Sequence, residues 1–173
     1  MSTPRGLPIM LRTITAVPLT PEAFAPFGEV IQVGDREPRR INGGRAMRYH
    51  ALARPEVAGP DGHVLISTVR GTPYEFPLAL TMVERHPLGS QAFVPMQPRP
   101  FLVVVCHDEG GRPGRPHAFL AGPGQGINYP RNRWHGVLTP IGEAQDFLIV
   151  DRGGEGVNLE EHFFDEPWEI HLP

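Results

Sequence analysis

Lysine is absent from this chain of 173 residues, whose 16 basic residues are all arginine. Schiff-base chemistry, with a carbonyl substrate or with pyridoxal phosphate, requires a lysine amine. The absence therefore excludes that chemistry, and we expect no organic cofactor. Any cleavage of a carbon–nitrogen or carbon–carbon bond must use other groups.

Cysteine is nearly absent as well, because Cys106 is the single one. One thiol cannot form a disulfide within the chain, and the apolar run Phe101–Cys106 predicts a buried strand rather than an exposed nucleophile. We therefore expect Cys106 to pack in the core and to take no part in catalysis.

The chain also lacks a strong excess of one charge and any long apolar run. Its net charge is −3, so it offers no basic surface that would neutralise a row of phosphates. No apolar run approaches the roughly 20 residues of a membrane span, and the first residues, Met1–Arg5, lack the apolar core of a signal peptide. We expect a cytoplasmic protein with neither nucleic acid nor membrane as partner.

Proline and glycine, by contrast, are abundant, with 21 and 20 residues in a chain that is 40% hydrophobic. They separate short apolar blocks, a pattern typical of an all-β protein. The predicted strands are Glu29–Val33, His63–Val69, Leu78–Glu84, Gln91–Val94, Phe101–Cys106, His117–Leu120, Trp134–Leu138, Asp146–Val150 and Trp168–His171.

One or two short helices are expected beside these strands, and the convincing one runs from Pro21 to Phe27. Thr20 would cap its N-terminus, Pro21 would occupy its first position and Gly28 would close it. The length predicts a single domain, residues 1–173. Many short strands with Gly/Pro turns indicate a sandwich or a barrel, and a jelly roll is the barrel whose ligand sites lie inside.

Glu84 and His86 lie two residues apart at the end of a predicted strand. Side chains two apart on a strand share a face, so both would point inward while Arg85 points outward. One strand would thus deliver an acid and an imidazole to the same place. Further along, Gln91 opens the next predicted strand and His135 lies in another.

These residues resemble the two half-motifs of the cupin superfamily. In cupins the first half reads His-x-His with a Glu shortly after, and the second ends in Pro-x-Gly-x-x-His. Here Glu84 stands for the first His, His86 matches the second, Gln91 replaces the Glu and Asn132 replaces the Gly before His135. The resemblance implies a cupin-type double-stranded β-helix, or jelly-roll barrel, in which these polar side chains converge.

A second set of motifs occurs in order along most of the chain: Leu19–Phe24, Arg40–Gly44, Arg48–His50, Glu84–Met96, Phe101–Val105, Gly124–Tyr129, Arg131–His135 and Asp146–Gly153. Together they resemble the ureidoglycolate lyase family, also called ureidoglycolate hydrolase. The resemblance implies a homodimeric carbon–nitrogen lyase, of the amidine-lyase type. Such an enzyme splits (S)-ureidoglycolate into glyoxylate and urea during allantoin and purine breakdown.

Ureidoglycolate is a hemiaminal, whose collapse needs a base, a proton for the departing urea nitrogen and a counter-charge for the carboxylate. The predicted catalytic residues are Glu84 as base, with His86 and His135 as acid–base groups or metal ligands. Together with Gln91 they could hold a divalent ion, and the resemblance favours nickel or manganese. If a metal binds, Glu84 would be a ligand rather than the base.

Other polar residues of these motifs are candidates for binding substrate. An arginine can offer two parallel donors to a carboxylate, and Arg48 is the first choice for that role, followed by Arg131 and Arg133. The full set of predicted substrate-binding residues is Arg48, Gln91, Asn42, Tyr49, His50, Asn128, Tyr129 and Arg133.

Three further residues near these motifs are predicted to be structural. Trp134 is next to His135 but on the opposite face of its strand, so it is expected to pack. Asp151 and Arg152 are expected to form a structural ion pair.

The sequence leaves two other functions open. Two histidines and one carboxylate with open positions are also the ligand set of a non-haem metal oxygenase. A cupin that binds a small carboxylate without turnover is the other alternative. Iron content and oxygen uptake would identify the first, and binding without turnover would identify the second.

Overall fold

The structure, a computed structural model, describes residues 12–34 and 36–173. The first residues, on which the expectation of no signal peptide rests, lie outside the described ones. The described residues form the helix α1 (Pro21–Phe24), a 3-10 turn (Asn42–Gly44) and the strands β1 (Thr13–Thr15), β2 (Val17–Pro18), β3 (Glu29–Ile31), β4 (Arg39–Ile41), β5 (Ala46–Arg48), β6 (His63–Gly71), β7 (Leu78–Arg85), β8 (Gln91–Pro95), β9 (Phe101–Glu109), β10 (Arg112–Ala121), β11 (Gly126–Tyr129), β12 (Trp134–His135), β13 (Thr139–Pro140), β14 (Gln145–Gly153) and β15 (Glu160–His171).

The strands form two large sheets and one separate hairpin. Sheet A runs in the order β1-β15-β7-β12-β9-β10-β2, with β13 beside β9, and sheet B runs in the order β3-β11-β8-β14-β6. The hairpin consists of β4 and β5, which pair with each other. Sheets A and B enclose a common core, and the predicted all-β, cupin-type jelly roll is confirmed.

Alternation along the strands builds the core between the two sheets. On β9, Phe101, Val103 and Val105 point into the interior, where Phe93 and Phe147 of sheet B meet them. The ring centroids of Phe101 and Phe147 lie 5.1 Å apart in an edge-to-face arrangement, a favourable geometry for aromatic pairs. This apolar packing fills one part of the barrel. The polar side chains of the same strands lie in the other part.

The opposite face of β9 contributes to a second apolar cluster. Cys106 lies there with Val104, Trp134 and Ile170. Cys106 is fully buried, and burial raises the pKa of its thiol to about 12, so the thiol stays protonated. The prediction that Cys106 is a buried strand residue is confirmed.

The helix is shorter than predicted, because α1 ends at Phe24 and a turn follows. Thr20 caps it as predicted, since its Oγ1 accepts a hydrogen bond from the backbone N–H of Ala23 at 3.1 Å. Gly28 does not close the helix in a left-handed conformation; it allows close passage by β11, where a Cβ would collide with the carbonyl oxygen of Asn128. In the described part of the chain, no helix has the length and apolar character needed to cross a bilayer.

Each predicted strand has a counterpart, although some boundaries move. The predicted strand from Trp134 to Leu138 is divided into β12 and β13, and β15 begins at Glu160 rather than at Trp168. Sequence patterns did not predict β1, β2, β4, β5 or β11. These strands are two to four residues long, too short for a period of two residues to stand out.

Candidate active site

Strand register brings Glu84 and His135 together on the inner face of sheet A. Glu84 of β7 is directly opposite His135 of β12, and His135 is opposite Val105 of β9, which belongs to the core between the sheets. Directly opposed residues of paired strands share a face, so both side chains point inward. His86 follows two residues after Glu84, as the spacing predicted.

These three side chains form a compact cluster. Their potential ligand atoms all lie within 4.8 Å of one another, and Glu84 Oε1 is 3.7 Å from His86 Nε2. The His86 and His135 ring centroids are 5.3 Å apart. The prediction that Glu84, His86 and His135 converge inside the barrel is therefore met by the geometry.

Backbone carbonyls fix the orientation of both imidazoles. His86 Nδ1 donates to the carbonyl oxygen of Asn158 at 2.7 Å, and His135 Nδ1 donates to that of Gly136 at 3.0 Å. A carbonyl can only accept, so Nδ1 holds a proton in both rings and, in a neutral ring, Nε2 carries the lone pair. Both Nε2 atoms are buried and have no hydrogen-bond partner among the described residues.

Asn158 was not predicted from the sequence, yet it supports the cluster twice. Besides its bond to His86, its side-chain Oδ1 accepts from the backbone N–H of Leu88 at 2.8 Å. Asn158 lies in a loop between β14 and β15, where strand periodicity offers no signal. The two bonds hold His86 and the chain just after it, and so keep the His86 ring turned toward the cluster.

Asn132 takes over the backbone role of the glycine that cupins have at this place. Its φ is 60°, in the left-handed region that Asn tolerates better than most residues. Its N–H donates to the carbonyl oxygen of His86 at 3.0 Å. This bond ties the two half-motifs to each other.

Burial shifts the pKa values of two members of the cluster, Glu84 and His135. Burial raises the pKa of the Glu84 carboxyl, and Glu161 beside it adds to the rise, while His86 opposes it. Burial lowers the pKa of His135 to about 3, so this imidazole is neutral in the physiological range. Such a neutral imidazole accepts a proton or binds a metal through Nε2.

Tyr129 and Gln91 reach the cluster from sheet B. The Tyr129 ring stacks on that of His135, with centroids 4.2 Å apart and planes at 4°, and burial raises the pKa of its hydroxyl, which stays protonated. Gln91 is opposite Tyr129 in the pairing of β8 with β11, so the two side chains share a face. Gln91 Oε1 is buried and lacks a partner in the described part of the chain.

Asp151 is a site residue that the sequence analysis missed. On β14, Phe147 and Ile149 pack in the core between the sheets, and Asp151 continues that alternation inward. Burial raises the pKa of Asp151, while the nearby His86 lowers it. Its Oδ1 is buried and makes no hydrogen bond to any described residue.

The predicted pair of Asp151 and Arg152 is wrong. Adjacent residues of a strand point to opposite faces, and Arg152 donates outside the barrel to the carbonyl oxygens of Ala58, Pro60, Gly154 and Glu155. The alternation from Phe147 would have revealed the inward position of Asp151. The inward position was missed because Asp151 and Arg152 carry opposite charges and are adjacent in sequence, which suggested an ion pair.

The donor set fits a divalent metal ion. Glu84, His86 and His135 offer one carboxylate and two imidazoles, the ligands that borderline ions accept. Each imidazole already donates its other nitrogen to a carbonyl, the arrangement that orients metal-binding histidines. The buried, unpartnered Nε2 atoms of this part of the structure are the atoms that an ion would bind.

Two predicted substrate-binding residues point elsewhere. Asn128 precedes Tyr129 on β11 and therefore lies on the other face, where its Nδ2 donates to Glu29 Oε2 at 2.9 Å. Arg133 donates to the carbonyl oxygens of Phe27, Cys106 and Pro26. These bonds anchor the end of α1 to sheet A, and they occupy the guanidinium that was expected to bind a carboxylate.

Four other predicted substrate-binding residues lie on or next to the hairpin of β4 and β5. Asn42 is in its turn with φ 53°, Arg48 ends β5, and Tyr49 and His50 follow. The charges of Arg39 and Arg48 lower the pKa of His50. This hairpin is a sheet of its own, so contact of these residues with substrate stays a prediction.

Arg131, the second choice for the substrate carboxylate, is bonded to the residue that follows His86. Its Nε donates to the carbonyl oxygen of Pro87 at 2.9 Å, and its backbone N–H donates to Glu56 Oε2 at 2.8 Å. Trp134 is buried on the far side of sheet A, where its Nε1 donates to Asp108 at 2.9 Å. The predicted packing role of Trp134 agrees with this position.

The family model for ureidoglycolate lyase matches residues 11–171. A protein named ureidoglycolate lyase from Mesorhizobium japonicum is 69% identical over 92% of this chain and 98% of its own length. A protein of the same name from Chelativorans is 64% identical over 94% of this chain and 99% of its own length. Ureidoglycolate lyase 2 of Rhizobium meliloti is 56% identical over 88% of this chain and 94% of its own length.

A solved structure of a dTDP sugar isomerase from Desulfovibrio desulfuricans covers 81% of this chain and 83% of its own, with a TM-score of 0.41 and 17% identity. That likeness is too weak to bear on function. The match to the family model and the sequence identities given above are strong, and they agree with the motifs around Glu84 and His135. This chain therefore belongs to the ureidoglycolate lyase family.

Proposed function

We propose that this chain is a lyase that cleaves (S)-ureidoglycolate into glyoxylate and urea. The observation that carries the proposal is the convergence of Glu84, His86 and His135 inside the barrel of a member of this family. The names of relatives that are 56% to 69% identical support the same substrate.

The reaction needs neither a nucleophile nor a redox partner. The hydroxyl on the hemiaminal carbon loses its proton, and its electrons form the carbonyl of glyoxylate. The carbon–nitrogen bond breaks, and its electron pair goes to the nitrogen of the departing urea. That nitrogen takes up one proton, so the proton that is removed equals the proton that is returned.

Glu84 is suited to move this proton. Burial raises its pKa, and a raised carboxyl pKa favours proton transfer near neutral pH. The hydroxyl and the departing nitrogen share one carbon, so a single carboxylate can accept the proton from the first and return it to the second. His135 is neutral because burial lowers its pKa to about 3, so it adds no positive charge that would lower the pKa of Glu84.

We further propose that Glu84, His86 and His135 bind a divalent ion, nickel or manganese. A bound ion would supply positive charge beside the carboxylate and hydroxyl oxygens of the substrate. Glu84 would then hold the ion instead of accepting the proton. The two carbonyl-bound imidazoles support this role because their Nε2 atoms are already aimed at the cluster.

Arg131 is our choice for the substrate carboxylate. Its Nε is bonded to Pro87, the residue after His86, whereas Arg48 lies on the separate hairpin and Arg133 is committed to backbone carbonyls. We assign the reaction to cytoplasmic allantoin breakdown and the carbon–nitrogen bond cleavage to the amidine-lyase class, as the resemblance implies.

We also propose a homodimer that forms through β6. This strand is at the edge of sheet B, and it exposes Val64, Leu65 and Ile66, with Ile66 72% exposed. An open edge with apolar side chains on both faces favours pairing with another chain, and a second copy would do so symmetrically.

The proposed function is tested by product analysis with racemic ureidoglycolate. Glyoxylate, urea and ammonia are quantified for metal-stripped protein and again after addition of nickel or manganese. We expect glyoxylate and urea in equal amounts, without ammonia. Ammonia in place of urea would indicate amide hydrolysis, and the absence of glyoxylate under both conditions would overturn the proposal.

A further inference from the structure

Two buried acceptor atoms face the cluster from the opposite sheet. Gln91 Oε1 and Asp151 Oδ1 are both buried without a hydrogen-bond partner in the described residues. The pairing of β8 with β14 ends at Ala92 and Val150, so Gln91 and Asp151 are the next residues along each strand. They therefore project from the same face of sheet B.

Both side chains project into the barrel. On β8, Phe93 is on the same face as Gln91, and on β14, Phe147 is on the same face as Asp151. Both phenylalanines belong to the core between the sheets. Asp151 also lies near His86: burial raises the pKa of the Asp151 carboxyl, and His86 lowers it by less. The interior thus has an acceptor wall on sheet B opposite the Glu84, His86 and His135 cluster on sheet A.

A buried acceptor without a donor is costly, and more so when the acceptor is charged. Two adjacent ones favour a ligand rich in hydrogen-bond donors. The two ends of ureidoglycolate differ in this respect: the ureido group carries several N–H donors, while the carboxylate carries none. A substrate carboxylate offers no N–H donor to Asp151 or Gln91, so hydrogen bonding specifies the orientation.

We propose that Asp151 and Gln91 form the subsite for the ureido group of the substrate, each accepting hydrogen bonds from its N–H groups. The hydroxy-acid end of the substrate then lies against Glu84, His86 and His135. This inference rests on the proposed function. It assigns recognition of the ureido end to sheet B and chemistry to sheet A.

Two stable analogues that lack the reactive hydroxyl test the subsite. N-carbamoylglycine keeps the ureido group and the carboxylate, and N-acetylglycine replaces the terminal NH₂ with a methyl group. Their dissociation constants are measured by calorimetry for the wild-type protein and for Asp151→Asn. This change is nearly isosteric but turns one acceptor into a donor that opposes the ureido N–H groups.

We expect the wild-type protein to prefer N-carbamoylglycine by about tenfold, as the loss of one hydrogen bond to a charged group predicts. Asp151→Asn should bring this ratio close to one and raise the KM for ureidoglycolate. Gln91→Met, which removes the other acceptor at similar volume, should lower the ratio as well. Asp146→Asn is the matched control, because Asp146 is on the same strand but pairs with the exposed Arg70; its ratio should equal that of the wild type.

Equal binding of the two analogues by the wild type, or an unchanged ratio and KM in Asp151→Asn, would overturn the inference. A ratio of analogue affinities close to one in the Asp146→Asn control would also overturn it, since the effect would then not be specific to the inner face. Failure of the proposed function is distinguishable. In that case ureidoglycolate yields no glyoxylate with any variant, while the ratio of analogue affinities still reports on the subsite.

Discussion

Two hydrogen bonds decide which atoms of His86 and His135 take part in chemistry. Each Nδ1 is bonded to a carbonyl oxygen, and each buried Nε2 has no partner within the described residues. Without those carbonyls, either ring could turn or change tautomer, and the lone pair would leave the cluster. A buried histidine with a purely structural role would have hydrogen bonds at both ring nitrogens, and neither His86 nor His135 does so among the described residues.

Single residues of the site were predictable where local geometry determines them. Glu84 and His86 follow from a period of two on one strand, and His135 follows from its motif. Asp151 was predictable by the same period but was masked by its charged neighbour Arg152. Asn158 was not predictable, because it acts from a loop distant in sequence from His86, and only the folded chain brings the two together.

His135 gives a test of stability against pH. Burial lowers its folded pKa to about 3, whereas in the unfolded chain it is about 6.5. Between these values the unfolded state binds one proton that the folded state does not, so stability present above pH 6.5 is lost as the pH falls, by about 1.4 kcal/mol per pH unit.

Urea denaturation of the metal-stripped protein from neutral pH down to pH 4.5 measures this slope. His135→Gln, which does not titrate, should show a shallower slope by about one proton. Equal slopes in the two proteins would contradict a neutral, buried His135.

Strand pairing determines which side chains meet. The register of β7 with β12 and of β8 with β11 places Glu84, His135, Tyr129 and Gln91 at one site. The sequence indicated most of these strands but not their partners, since partners are set by contacts between distant segments. The short strand β11 was missed because Gly126 and Asn128 favour turns, although pairing on both sides makes it a central strand of sheet B.

The open edge of β6 leads to a prediction about association. If β6 pairs with its copy, Ile66→Arg should introduce a charge into that contact and shift the protein from a dimer to a monomer of 19.1 kDa. Val33→Arg is the control, because Val33 is 78% exposed and follows β3 at the other edge of sheet B. Light scattering after gel filtration measures the mass; a dimer that survives Ile66→Arg would rule out this interface.

The whole barrel should respond to an ion bound at the site, since the ligands come from distant segments of the chain. A ligand that binds the folded state alone stabilises it by about 2.7 kcal/mol at a hundredfold excess over Kd. For a chain of this length that corresponds to a rise in Tm of roughly 5–10 °C.

Thermal unfolding with and without nickel or manganese measures the rise. His86→Ala should abolish it, while His63→Ala, which removes an exposed histidine on β6, should retain it. An equal rise in the two variants would assign the ion to another place.

The most direct test of the account is the rate of glyoxylate release by Glu84→Gln compared with Glu160→Gln. Glu84 faces the cluster, whereas Glu160 pairs with the outward Arg85, so the two changes remove the same charge from opposite sides of one strand pair. We expect Glu84→Gln to lower kcat/KM by roughly 10²- to 10⁴-fold with an unchanged Tm, and Glu160→Gln to stay close to wild type. Equal rates for the two variants would contradict it.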